Sequence, residues 1–184
     1  MDRKTKQRIE ARLAEADKLK KRLDKFRPFD VTIEEHFKKY LDIVLTYESN
    51  AIEGNTLSLN DTKRILTRGQ ITKPASTREI FEVINHRDAI RYIETLANKQ
   101  LVSKKEILNI HKNILKNISD KNAGAFRKEG VYILPTYGEA PIKHFPKWQQ
   151  IPSLTKELLQ WLNNNAKKYH PILLAAELHY RFVM

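Results

Sequence analysis

The sequence predicts a mainly α-helical bundle that carries one β-hairpin. Hydrophobic residues make up 41% of the 184 positions, which is enough for a core. Residues 119–150 lack helical periodicity and include a β-prone run from Val131 to Leu134. Four apolar periodic segments each begin with Ser or Thr followed three residues later by an acidic residue, the pattern of a helix capping box. These pairs are Thr32 with Glu35, Ser58 with Asp61, Ser76 with Glu79, and Ser103 with Glu106.

The first predicted element is a basic amphipathic helix over residues 3–26. Its apolar residues recur at steps of three and four, at Ile9, Leu13, Ala16, Leu19, Leu23 and Phe26. Arg27 ends it, because a residue before proline avoids the helical conformation. Residues 1–27 hold eleven Lys and Arg against five Asp and Glu, so half of the net charge of +12 lies here. We expect this helix to pack on the protein body or on a second subunit, and a nucleic-acid-binding arm is the alternative.

The predicted body consists of consecutive helices. The first begins at Thr32, buries an apolar face that includes Phe37 and Leu41, and ends near Gly54. Three further helices are expected from Ser58 to Gly69, from Ser76 to about Asn98, and from Ser103 to about Asn117.

The carboxyl-terminal third is predicted to contain a hairpin followed by two helices. The β-prone run is followed by turn residues at Pro135 to Gly138 and by a returning segment, which predicts a hairpin over about residues 130–143. A helix with Pro152 near its start follows, and the last helix begins at Pro171. The last helix is so apolar that we expect it to be buried nearly all round. Because it ends at Met184 without a cap, we expect the chain to be incomplete at its carboxyl end relative to its fold.

Several kinds of site are absent from the sequence. There is no cysteine, so disulfides and thiolate metal sites are excluded. The six histidines show no metal-ligand spacing, and no glycine-rich phosphate loop or serine nucleophile motif occurs. No apolar run approaches the length of a membrane span, so we expect a cytoplasmic protein without a membrane partner. The residues alone therefore predict neither a metal site nor a catalytic set.

Three stretches together resemble the Fic family of enzymes that transfer AMP from ATP to protein hydroxyl groups. Ser49 to Asn55, with the sequence SNAIEGN, is similar to the family's inhibitory motif. Gly124 to Arg127, followed by Val131 to Leu134, is similar to the segment that leads into the family's flap hairpin. Ala175 to Val183 is similar to the helix that leads into the catalytic loop. The catalytic signature itself, His-Pro-Phe-x-Asp/Glu-Gly-Asn-Gly-Arg, is not present.

The resemblance implies a domain organisation and a set of roles. Residues 29–75 would form the region with the inhibitory helix and 76–184 the first part of the core with the flap, whereas the basic helix of residues 1–28 is predicted from the residue pattern and not from the family. Glu53 would be the inhibitory carboxylate, with Ser49 holding it or the helix end in register and Gly54 allowing the chain to turn. The flap residues expected near the nucleotide or the target are Val131, Tyr132, Ile133 and Leu134.

The resemblance also implies substrates and partners. ATP and Mg²⁺ are expected for a protein that includes the signature, and the acceptor is the Ser, Thr or Tyr hydroxyl of a target protein. These 184 residues, a regulatory and flap-bearing part of a self-inhibited enzyme, are expected to be inactive alone, without catalytic residues of their own. A homodimer through the basic helix is a further expectation. The alternative is a basic helical module that binds nucleic acid or protein.

Overall fold

The computed structural model describes residues 2–71, 74–97, 99, 101–133 and 143–183. The chain divides into two compact units, one that extends through Tyr40 and one that begins at Leu41. No helix in the described part of the chain is both long and apolar enough to cross a membrane.

The first unit contains α1, Arg3–Asp24, and the beginning of α2, Val31–Ile52. The Asp2 carboxylate caps α1 by accepting a bond from the Thr5 amide at 2.9 Å, and no residue of α1 is buried. The prediction that Thr32 and Glu35 cap α2 is wrong. The Asp30 carboxylate performs this role two residues earlier, accepting from the Thr32 amide at 2.9 Å, so Thr32 already lies inside the first turn.

The second unit contains the rest of α2 and five further helices. These are α3 at Leu59–Arg68, α4 at Thr77–Thr95, α5 at Lys104–Leu115, α6 at Ile151–Asn165 and α7 at Pro171–Val183. The predicted capping boxes at Ser58, Ser76 and Ser103 are confirmed, each with both reciprocal hydrogen bonds. α4 packs on α3 and α5, and α6 packs on α5 and α7.

The core beside α3 and α4 is built from aliphatic side chains. Leu57 (4% exposed), Ile65 and Val83 (0% exposed) form its centre, and Leu66, Ala75, Ile80 and Ile84 surround them. Asn85, also buried on α4, donates from Nδ2 to the carbonyls of Ile114 at 3.0 Å and Lys116 at 2.6 Å. It therefore satisfies the free carbonyls at the end of α5.

α7 is more exposed than the sequence predicts. It packs on α6, where the Arg181 guanidinium lies 4.5 Å from the centre of the Trp161 ring, but none of its residues is buried. Tyr180 and Phe182 are exposed, Phe182 to 67%. The expectation that this helix is buried nearly all round is therefore wrong for this structure, because only one side of it has a packing partner among the described residues.

Two short strands interrupt the helices of the second unit. β1, Tyr132–Ile133, pairs antiparallel with β2, Lys143–His144, in the register Tyr132 opposite His144 and Ile133 opposite Lys143. A short 3₁₀ turn, Trp148–Gln150, then leads into α6. The segment that would form the tip of the predicted hairpin, residues 134–142 with Leu134, lies outside the described residues. The structure is thus mainly helical, and a complete hairpin flap is not established.

Candidate functional site

The candidate inhibitory motif lies at the carboxyl end of α2. The helix ends at Ile52, and Gly54 adopts the left-handed conformation (φ 91°) that lets the chain turn away from the helix axis. Two backbone bonds close the turn, from the Gly54 amide to the Ala51 carbonyl at 3.1 Å and from the Asn55 amide to the Asn50 carbonyl at 3.0 Å. Glycine is favoured at position 54 because residues with a side chain rarely adopt a positive φ.

The two polar residues of the motif occupy different environments. Ser49 is half-buried on the last turns of α2, whereas Glu53 is exposed in the turn that follows. Among the described residues, neither side chain has a hydrogen-bonded or ionic partner. The expected bond from Ser49 to the helix end or to Glu53 is therefore not seen, and the Glu53 carboxylate is available to a group outside the described residues.

The part of α2 that precedes the motif is held against α4 by two polar contacts. The Arg91 guanidinium donates to the Asp42 carboxylate at 2.8 Å. One turn further along, Thr46 Oγ1 lies 3.1 Å from His86 Nδ1, and Thr46 is only 1% exposed. Burial of the His86 ring lowers its pKa, because the charged form loses hydration. These contacts set the position of the helix that carries Ser49 and Glu53.

The chain after Glu53 is also attached to α4, at its amino end. Asn55 donates from Nδ2 to the Glu79 carbonyl at 3.1 Å and to the Glu82 carboxylate at 3.0 Å. Thr56 donates from its amide at 2.9 Å and from Oγ1 at 2.7 Å, both to Oε1 of Glu79. Leu57 then enters the core, so three successive residues after the Glu53–Gly54 turn are fixed to the body.

Glu79 joins this turn to the cap of α4. Its second oxygen, Oε2, accepts bonds from the Ser76 amide at 3.1 Å and from Ser76 Oγ at 2.9 Å. The Thr56 hydroxyl, the Thr56 amide and the two Ser76 donors, in that order of importance, lower the pKa of Glu79 to about 2, because all four favour its charged form. The carboxylate is therefore ionised throughout the neutral range.

The candidate flap residues lie on and beside the strand pair. Val131 and Tyr132 are exposed, Ile133 belongs to β1, and the position of Leu134 is not described. The Phe145 amide donates to the Val131 carbonyl at 3.2 Å, which extends the pairing by one step. An open groove of about 710 Å³ runs along this base, lined by Gly130, Val131, Tyr132, Phe145, Pro146, Lys147, Gln150 and Leu154.

Arg127 and Gly124 anchor the base of the strands. The Arg127 guanidinium donates to the Glu129 carbonyl at 2.6 Å and to the Pro146 carbonyl, and so ties together the segments that enter β1 and leave β2. Gly124 has φ 74° and donates its amide to His111 Nδ1 on α5 at 3.2 Å. A Cβ at Gly124 would lie 3.0 Å from Lys112 Cβ, so both the backbone conformation and the close approach require glycine.

The described residues do not supply a metal site. They contain no group of three or more His, Asp, Glu or Cys side chains that could hold an ion. The Mg²⁺ that the resemblance implies is expected only for a protein that includes the signature, and no metal ligand is assigned within the described part of this chain.

Comparison with known proteins identifies the class of this domain. Residues 101–184 match the sequence model of the Fic/DOC family. The chain is 34% identical over 140 residues to the Protein adenylyltransferase Fic of Aedes aegypti, with 74% of this chain and 27% of that protein covered. It is 33% identical over 142 residues to the Protein adenylyltransferase fic-1 of Caenorhabditis elegans, with 75% of this chain and 27% of that protein covered.

The fold agrees with these matches. A Fic-domain-containing signaling protein of Bacteroides thetaiotaomicron superposes with a TM-score of 0.80 at 24% identity, covering 91% of this chain and 63% of that chain. The chain therefore belongs to the Fic/DOC family, and the family expectation drawn from the three sequence motifs is confirmed. It spans 27% of the length of the two curated relatives described above.

The family resemblance assigned the candidate motif residues Ser49, Glu53 and Gly54. The contacts that Asn55 and Glu79 make beside them were not predicted from the sequence. The sequence identified Glu79 as a capping residue, but a capping box uses only one of its carboxylate oxygens. The use of the other oxygen by Thr56, 23 positions away, depends on tertiary structure.

Proposed function

We propose that this chain is the regulatory and flap-bearing part of a self-inhibited protein adenylyltransferase. The curated relatives are named as protein adenylyltransferases, which favours this class over a nucleic-acid-binding module. The single observation that carries the proposal is the placement of Glu53: an exposed carboxylate, without a described partner, next to a turn that is fixed on both sides.

The proposed reaction transfers AMP from ATP to a protein hydroxyl group. The hydroxyl oxygen forms a bond to the α-phosphorus, the bond from that phosphorus to pyrophosphate breaks, and the hydroxyl proton passes to a general base. The groups expected to perform this chemistry belong to the catalytic signature, which these 184 residues do not contain. We therefore propose that the 184 residues alone do not transfer AMP, and that ATP with Mg²⁺ is used by a polypeptide that includes the signature.

In this proposal Glu53 competes with the terminal phosphate of ATP. A guanidinium can hold one bidentate anion in its planar fork, so an arginine of the signature would bind either the Glu53 carboxylate or the γ-phosphate. With Glu53 bound, the triphosphate would be displaced and the α-phosphate misaligned with the attacking hydroxyl. A displacement of about 1 Å is sufficient to lower a rate by about 10²-fold.

The strand pair would align the target protein. Val131 and Tyr132 are exposed, and β1 belongs to a sheet of two described strands. An edge strand can accept an extended peptide through main-chain hydrogen bonds. We propose that the edge expected over Val131 to Leu134 holds the target segment, with Tyr132 or Ile133 near the nucleotide or the target.

The test compares two glutamate-to-glutamine variants in a polypeptide that continues through the signature. Transfer from radiolabelled ATP is expected to rise by on the order of 10-fold to 100-fold in Glu53→Gln, because the competing charge is removed. Glu48→Gln, which removes an exposed carboxylate from the helix that precedes Glu53, is the matched control and should leave transfer unchanged. Equal transfer with and without the Glu53 charge contradicts self-inhibition. Transfer by the 184 residues alone contradicts the proposed need for the signature.

A further inference from the structure

The carboxylate of Glu79 is shared between two segments that are distant in sequence. Its Oε1 accepts both hydrogen bonds from Thr56, in the turn after α2, and its Oε2 accepts both bonds from Ser76, at the cap of α4. The capping box of α4 uses only Oε2, which accepts from the Ser76 amide, together with the bond from the Glu79 amide to Ser76 Oγ at 3.1 Å. The two bonds from Thr56 therefore need a separate physical explanation.

We propose that Glu79 is a positioning residue for Glu53, because it holds the turn from which the Glu53 carboxylate projects. This inference rests on the proposed inhibitory role of Glu53 and adds the element that keeps it in place. Glu79 touches neither nucleotide nor target in this proposal, and it acts only through Thr56 and the backbone between Thr56 and Glu53.

The end of α2 has few contacts of its own. The two backbone bonds that close the turn occupy the Asn50 and Ala51 carbonyls. The last turn of α2 contains no basic residue, and Ile52 is 82% exposed, so apolar packing does not fix the turn. The position of Glu53, just beyond this end, therefore depends also on what holds the chain on the other side.

The other side is held within three residues. Thr56 is bound to Glu79, and Asn55 is bound to the Glu79 carbonyl and to the Glu82 carboxylate. Arg78 holds the other oxygen of Glu82 at 2.9 Å, so this second carboxylate is also fixed. A three-residue segment spans at most about 10 Å when extended. With its far end fixed, the Glu53 backbone cannot move beyond this reach from Thr56.

The proposed inhibition depends on the exact position of the Glu53 carboxylate, because bidentate binding is sensitive to position. A carboxylate that competes for a guanidinium must present both oxygens in the plane of the fork. A turn that moves by several ångström would present Glu53 only part of the time. Release of Thr56 by Glu79 would therefore weaken the competition with ATP without any change at Glu53 itself.

Because the two oxygens of Glu79 serve different segments, the structure offers a matched pair of variants. Thr56→Val removes the Oγ1 donor to Oε1 and preserves the shape of the side chain and the cap of α4. Ser76→Ala removes the Oγ donor to Oε2 and leaves both Thr56 bonds in place. Each variant deletes one hydroxyl bound to the same carboxylate, and Ser76→Ala also removes the acceptor of the Glu79 amide at 3.1 Å. The comparison therefore rests on where each variant acts, because a general loss of stability would spread over both regions.

The first measurement uses the 184-residue protein and amide hydrogen exchange. Thr56→Val is expected to speed exchange at residues 54–57 by roughly fivefold, the equivalent of one hydrogen bond, and to leave the amides of the first turns of α4 unchanged. Ser76→Ala is expected to speed exchange in α4 and to leave residues 54–57 unchanged. Equal changes in both regions for both variants would show a structural role only and would overturn the proposal.

The second measurement uses AMP transfer by a polypeptide that continues through the signature. Glu79→Gln is expected to raise transfer toward the level of Glu53→Gln, and the double variant should not exceed Glu53→Gln, because both act on one interaction. Additive effects would overturn the proposal, as would a Glu79→Gln variant with unchanged transfer beside an activated Glu53→Gln. If Glu53→Gln itself fails to raise transfer, the proposed inhibition fails, and the regulatory role of Glu79 fails with it. The exchange result separately decides whether Glu79 holds the turn.

Discussion

The turn between α2 and α3 and the base of the strand pair anchor exposed residues in two different ways. In the turn, side chains make the attachment: Thr56 binds a carboxylate and Leu57 enters the core. At the strands, the attachment is made mainly to backbone: Phe145 donates to a carbonyl, and Arg127 donates to two. The first arrangement needs particular residues at each position, whereas backbone contacts tolerate changes in the side chains of the strands.

This difference suits the roles proposed for the two regions. In the proposed role, Glu53 would meet one arginine in one orientation, which requires specific support. A strand edge proposed to receive target proteins would need a constant backbone and side chains that can vary. Substitutions in both regions test this difference.

The largest effect is expected from the core residue that follows the turn. Leu57→Ala should lower the free energy of unfolding by about 2–5 kcal/mol, because Leu57 is 4% exposed and its loss leaves a cavity beside Ile65 and Val83. Val131→Ala, on the exposed strand, should change it by less than about 0.5 kcal/mol. Urea unfolding measures both. Equal losses would show that the strand pair is as much a part of the core as the turn.

A smaller effect is expected at the glycine of each region. Gly54→Ala should cost about 1–2 kcal/mol, because φ is 91° and alanine is strained there although nothing lies within 4 Å. Gly124→Ala should cost about 1 kcal/mol more, because its Cβ would also lie 3.0 Å from Lys112 Cβ. Thermal unfolding of the two variants under one condition tests the order. A greater loss of stability in Gly54→Ala than in Gly124→Ala would contradict the open space described around Gly54.

The smallest effect is expected from acid. The pKa of Glu79 is about 2 in the folded protein, below its ordinary value of 4.5, so its bonds stabilise the fold above pH 4.5. This contribution should be lost progressively as the pH falls from about 4.5 to 2. Amide exchange at residues 54–57 should then rise relative to that at Phe145, whose region is held by an arginine that stays charged.

The matched control for this acid effect is Glu79→Gln, in which protection at residues 54–57, that is, the exchange rate relative to the intrinsic rate at each pH, should be nearly independent of pH over the same interval. A wild-type turn that opens only together with the whole protein would contradict the prediction. The pKa of Glu106 is also lowered to about 2, first by Lys99 and then by Ser103. Because Glu106 lies on α5, its protonation should change the stability of the wild-type protein and of Glu79→Gln equally.

The helices could be predicted to within a few residues because their signals are local. A capping box at Ser58, Ser76 or Ser103 lies within four positions, so the residues themselves contain the interaction. The same reasoning failed at Thr32, because Asp30 offers an oxygen closer to the first free amides and begins the helix earlier. Local patterns thus predict the existence of a helix more reliably than the residue at which it begins.

The family, the helical character of the chain and the need for glycine at position 54 could be predicted from the residues, because short spacings and a required backbone conformation encode them. That Glu79 binds Thr56 as well as Ser76, and that α7 is largely exposed, became apparent only in the packed structure. The physical reason is that hydrogen bonds and burial between distant segments depend on where each element packs. A periodic pattern records which face of a helix is apolar, but not what lies against that face.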